Sequence, residues 1–190
     1  MRSNRFVMAF VVGISLAVAA GRAEAKNDKN EKPVRLSFSG TSTNKSDLSF
    51  DGNQQGFGFI NTMAGKGTLG AFNAQLVAEF LGVGVCGGGT GFDLVVAGEA
   101  VVLSFTSSGD QLFLALSPSV TSHACLDVPT GVTDGETTLD VTGGTGRFAG
   151  ATGTVVKTWK SIHLAPVVPP GNGSFSSFTG TFEGTIGLAD

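Results

Sequence analysis

The stretch Gly143-Gly-Thr-Gly-Arg-Phe-Ala-Gly-Ala-Thr-Gly153 decides how this chain is read. Its Gly144-x-Gly146-x-x-Ala149 spacing matches the dinucleotide fingerprint G-x-G-x-x-A. That fingerprint works only where a helix opens at the glycines, so that the helix N-terminus faces a pyrophosphate. Here the chain continues Thr154-Val-Val-Lys-Thr-Trp-Lys160, rich in β-branched residues and unsuited to a helix start. We therefore expect a tight turn or bulge between strands Glu136–Val141 and Gly153–Leu164, and no nucleotide cofactor. Arg147 is expected to stack on aromatic neighbours of Phe148 or to pair with an acid such as Asp140.

Outward from this turn the chain has the grammar of an all-β protein. It holds 29 glycines in 190 residues, roughly twice the ordinary usage of ~7%. They are spread between apolar runs, as short strands with tight turns and bulges require. The strand candidates are Val34–Ser39, Gly56–Thr62, Thr68–Leu81, Phe92–Phe105, Gln111–Ser117, Glu136–Val141, Gly153–Leu164 and Phe175–Ile186. Ala71–Leu81 also fits a short helix, and strand is preferred. Ser108-Gly109-Asp110, Asp134-Gly135 and Pro169–Gly173 carry turn chemistry. About eight antiparallel strands must hide their edges, and closing the sheet into a barrel removes them. The expectation is a closed eight-stranded antiparallel β-barrel, with a two-sheet sandwich as the alternative.

The N-terminus has the layout of an export signal. Arg2 and Arg5 precede the apolar run Phe6–Ala20, and Ala23-Glu24-Ala25 is a small-x-small cleavage site. The run is shorter than the ~20 residues of a bilayer span. We expect a signal over 1–25, a flexible polar leader over 26–33, and one barrel domain over 34–190. The destination is the periplasm or the exterior, with no membrane attachment after cleavage. The formal net charge of −3 becomes more negative once Arg2, Arg5, Arg22 and Glu24 are removed, which argues against a nucleic-acid partner.

Cys86 and Cys125 are the two cysteines. In an exported chain an even pair reads as one disulfide. His123, Cys125 and Asp127 alternate, so a strand would present all three on one face, as a metal site needs. The disulfide is preferred over a metal, with His123 an ordinary surface residue.

Catalytic signals are sparse. G-x-S-x-G is absent, and His123 and His163 are the two histidines. Trp159, Lys160 and His163 share a strand whose faces mix, and His163 reads as a rim residue. Glu99 shares parity with Asp93, Val95, Val101, Leu103 and Phe105. A regular strand would bury its carboxyl and raise its pKa, as a general acid or base requires. Gly98 argues instead for a bulge that turns Glu99 to water, and that is the expectation. Glu79 beside Phe80 poses the same question. The 15 Phe and one Trp are expected to fill the core and line a cavity.

Three segments, Gly109–Ser117, Gly143–Gly153 and Phe178–Leu188, together resemble the allene oxide cyclase barrel-like group. That group includes plant dirigent proteins and small secreted bacterial proteins. The resemblance implies a calycin-like barrel with an apolar lumen, often trimeric in the plant members. Dirigent proteins continue the Gly-rich block as A-R-G, where this chain has Ala151-Thr152-Gly153, and the chain has no Tyr. Glu99 and Arg147 are the candidate catalytic residues. Three functions are compatible with this reading: a binder of an apolar small molecule in the lumen, a cofactor-independent cyclase or isomerase, or a structural envelope protein with a filled barrel. An ionisable group in a roomy lumen would favour the second, a purely apolar lumen the first, and no cavity the third.

Overall fold

A computed structural model describes residues 30–45, 56–86, 89–164 and 175–189. The expected signal, the first half of the leader (26–29) and the Pro169–Gly173 turn lie outside the described residues. The strands are β1 (Glu31–Lys45), β2 (Phe57–Gly67), β3 (Gly70–Cys86), β4 (Gly91–Phe105), β5 (Gln111–Leu116), β6 (His123–Asp127), β7 (Val132–Gly144), β8 (Thr152–His163) and β9 (Phe175–Gly187).

Every pairing is antiparallel. The ring runs β1-β2-β3-β4-β5-β7-β8-β9 and closes on β1, so the architecture is a closed eight-stranded barrel and not a sandwich. The ninth strand, β6, continues the lane of β5. Residues 100–104 of β4 pair with β5, and residues 91–95 pair with β6. On the other side β7 pairs with β6 through 132–136 and with β5 through 139–144. One stave is thus made of two short strands laid end to end. At their seam the Ser122 carbonyl accepts from Val96 N–H, and the Ser122 hydroxyl accepts from Thr138 N–H. Ser117 N–H donates to the Thr138 carbonyl. The backbone groups freed by the break are therefore satisfied, as burial demands.

The strand expectations need four corrections. β1 starts at Glu31, because Glu31–Pro33 of the expected leader pair with Gly187–Thr185. β2 runs on to Gly67, and Thr68-Leu69 is the hairpin turn, not the start of a strand. β6 is a strand that the sequence pattern does not announce, because it is five residues long and runs at once into Val128-Pro129. Asp134-Gly135 is not a turn but lies within β7. Gly135 is there because the indole of Trp159 lies on the wall at this point, within 2.5 Å of where a β-carbon would stand. Ala71–Leu81 is strand, and Ser108–Asp110 is the β4–β5 turn, with Gly109 at φ 75°.

The lower half of the barrel is packed solid. Leu36, Phe72, Leu103, Phe105, Leu112, Leu139, Phe182 and Ile186 are all buried there, each stabilising the fold by about 1.5–3 kcal/mol. The Gly143–Gly153 block closes this end as a single 3-10 turn, Gly146–Phe148. It drives Phe148 into the barrel against Phe105, ring centroids 4.9 Å apart. Gly146 has φ 56° and sits against Asp110, where any β-carbon would collide with the carboxylate. The glycines thus serve a plug.

Candidate functional site

The upper half of the barrel is hollow. A cavity of about 520 Å³ is walled by Phe38, Phe59, Leu76, Phe80, Leu94, Trp159 and Phe178, with Phe57 and Phe92 at its mouth. The side chains come from strand ends that all point the same way: the starts of β2, β4, β7 and β9 and the finishes of β1, β3, β6 and β8. Phe57 and Phe92 are more than half exposed, so the mouth carries apolar surface into solvent. Ser42, Asn61, Thr133, Ser161, His163 and Ser176 add a polar fringe. His163 lies at the rim, as its strand position suggested. Its Nδ1 is 3.3 Å from the Ser176 hydroxyl, and partial burial lowers its pKa.

At the bottom of the hollow stands a charged pair. Lys157 of β8 lines the cavity and donates a hydrogen bond to Glu99 Oε1 of β4. The two strands are not neighbours, so the side chains meet across the lumen. Their side chains are 5% and 0% exposed. The Lys157 ammonium also lies 5.7 Å from the centroid of the Trp159 ring. Burial lowers the Lys157 pKa below its ordinary value, and Glu99 opposes that shift by charge and hydrogen bond. Among the described residues, Glu99 Oε2 has no hydrogen-bond partner. The same holds for the hydroxyl of Thr137, the residue opposite Lys157 in the β7–β8 ladder. Asn61 Oδ1 and Trp159 Nε1 are in the same condition. Polar groups in that state are costly, and they concentrate on the walls and floor of this cavity.

The expectation that Glu99 faces water is overturned, although its premise holds. A bulge does occur: Glu79 pairs with Gly98 and Phe80 with Val96, leaving Ala97 as the extra residue. The bulge changes parity on the other side of it. Glu99 stays inside with Val101, Leu103 and Phe105, while Asp93 leaves their face for the exterior and Phe92 and Leu94 line the lumen. Glu79 is fully buried at the same irregularity, against Gly56.

Arg147 is not in the lumen. It sits at the plugged end, donating from Nη2 to the Leu69 carbonyl at 2.6 Å. Its acid is Asp110, at 3.6 Å, and not Asp140, which accepts from the Thr154 hydroxyl. The guanidinium stacks over Phe105 and Phe148 and clamps the plug.

Cys86 and Cys125 form the disulfide, with Cα atoms 5.9 Å apart. It ties β3 to β6 across β4, passing over Gly91, where a β-carbon would meet both sulfurs at about 3 Å. Cys125 is thereby removed from any metal set. His123 is exposed beside Asp93 at 3.4 Å, and Asp127 accepts from Thr130. His123, Cys125 and Asp127 do share a face, but it is the outer one. A shallow open depression outside the barrel is bordered by His123, Asp93, Asp134 and Glu136.

Lys157 is the functional candidate that sequence reasoning missed. Its signal is the alternation Val155, Lys157, Trp159, Ser161, His163. The opposite face, Val156, Thr158, Lys160, Ile162, is just as mixed, so neither face declares itself the inner one. No family model matches the chain, and no curated protein does.

Proposed function

We propose that this protein is exported and binds an apolar small molecule in its barrel lumen. The carrying observation is the cavity of about 520 Å³, walled by aromatic and aliphatic side chains above a packed floor. That size and character suit a small ligand. Hollow space kept open beneath Phe57 and Phe92 counts against a filled structural barrel. The Cys86–Cys125 disulfide is compatible with an oxidising compartment, which supports the export reading. Native mass spectrometry of protein from its own host, with denaturation as the second step, tests the proposal. A co-purifying apolar compound is expected. The single Trp gives a second readout, because Trp159 lines the cavity and its emission should respond to filling. Neither a bound compound nor any emission response to a panel of apolar ligands would sink the reading.

A second reading has its own support. The Glu99–Lys157 pair places a buried ionisable couple at the floor of a roomy, mostly apolar lumen, the condition that favours a cofactor-independent cyclase or isomerase. In that reading the walls fold the substrate and the pair moves a proton. It agrees with the resemblance to the allene oxide cyclase and dirigent group. Turnover of a bound compound to an isomer of equal mass separates it from simple binding.

A further inference from the structure

We infer that Lys157 is a reactive amine that captures an apolar aldehyde or ketone in the lumen as a protonated imine, with Glu99 as its counterion. The inference rests on the proposal that the lumen takes an apolar small molecule, and adds the functional group that molecule carries.

Among the described residues lining the cavity Lys157 is the one amine, and it stands at the end of an apolar passage. A carboxylate ligand is a poor match, because Glu99 already neutralises Lys157 and would repel a second anion. A carbonyl compound brings no charge and needs a nucleophile. Lysine amines become nucleophiles when desolvated in an apolar pocket, and Lys157 is buried and shifted in that direction.

Glu99 supplies the proton traffic. The ammonium passes one proton to Glu99, and the neutral amine attacks the carbonyl carbon. The carbonyl electron pair moves to oxygen, which takes up a proton released by the nitrogen. The carbinolamine hydroxyl then leaves as water with the proton held by Glu99, and the nitrogen lone pair forms the C=N bond. The ammonium has lost two hydrogens and the carbonyl one oxygen. A singly protonated imine and an ionised Glu99 remain, so the buried pair ends with the charge it began with. Among the described residues nothing else hydrogen-bonds to Glu99 Oε2, leaving an acceptor position for the moving proton.

The test uses the full chain with its disulfide intact, decanal as probe, and cyanoborohydride to trap imines. Peptide mapping reads the gain of the aldehyde's mass less one oxygen at each lysine. Lys157 should label at least tenfold faster than the exposed Lys66 and Lys160. Decan-1-ol, equally long but lacking the carbonyl, should protect Lys157 alone. E99Q should slow labelling at Lys157 at least tenfold and leave the surface lysines unchanged. Equal or slower labelling at Lys157, or no protection by decanol, overturns the inference; an unchanged rate in E99Q overturns the role of Glu99. If E99Q does not fold, decanol protection in the unaltered chain decides. Should decanol shift Trp159 emission while decanal leaves Lys157 unlabelled, the imine fails and lumen binding stands. Should neither ligand bind, both fail.

Discussion

Breaking the Glu99–Lys157 pair one side at a time should cost far more than removing it whole. K157M leaves a carboxylate of 0% side-chain exposure without its cation, and E99L leaves a 5%-exposed ammonium without its anion. Each uncompensated buried charge costs about 3–5 kcal/mol. The double variant has neither charge nor desolvation penalty, and such replacements run from neutral to about 1–4 kcal/mol stabilising. The cycle should therefore show a coupling of about 3 kcal/mol or more. In guanidinium unfolding with the disulfide intact, a loss of about 4 kcal/mol moves the midpoint by roughly 1 M for a slope near 4 kcal/mol/M. A pH series adds a second reading. Burial holds the folded Lys157 pKa below 10.5. Between that folded value and 10.5 the unfolded chain binds more protons, so stability climbs with pH through this window. The contribution is complete above 10.5 and is lost as pH falls through the folded pKa. K157M should lack this rise. Additive single variants, with coupling under about 0.5 kcal/mol, would refute the reasoning, because they would mean the two groups do not meet in a dry site.

Four other outcomes are expected. Replacing both cysteines by Ser should lower stability by about 4 kcal/mol, the chain-entropy value for a closed loop near 39 residues; calorimetry of both forms measures it. G135V should force Trp159 off the wall, costing about 1–3 kcal/mol and changing the emission of the single Trp, and unaltered emission would count against the stacking. F148A should remove the plug of the closed end at a cost of about 3–5 kcal/mol, read by denaturant midpoint. The analogous Phe57→Ala at the mouth should cost under about 1 kcal/mol, since that ring is 52% exposed.

The fold was largely legible because its signals are local. Gly-rich turns, β-branched runs and the absence of caps act over a few residues. The Gly143–Gly153 block is recognisable as no nucleotide loop because a β-branched run, Thr154-Val155-Val156, stands where a helix would have to begin. Cys86 and Cys125 needed only counting. The site was less legible because it depends on parity, and parity is set by irregularities. The Ala97 bulge puts Asp93 and Glu99 on opposite faces, and nothing in Val95-Val96-Ala97-Gly98 says on which side the flip falls. Lys157 and Glu99 are 58 residues apart and meet across the lumen, so their pairing comes from barrel closure and not from spacing. Arg147 does have the aromatic and acidic partners its block suggested, but its acid sits on the turn after β4, a neighbour supplied by topology.

The stave built from β5 and β6 is the one place in the described barrel wall where the chain can be opened without cutting a strand. Its seam lies at the level where solid core gives way to hollow lumen, and the chain between the two strands, Pro118–Thr121, is exposed. Cutting the chain there would leave new ends in water, with the ladders on either side intact. Insertion or circular permutation at this seam should therefore leave both the sealed base and the open rim in place.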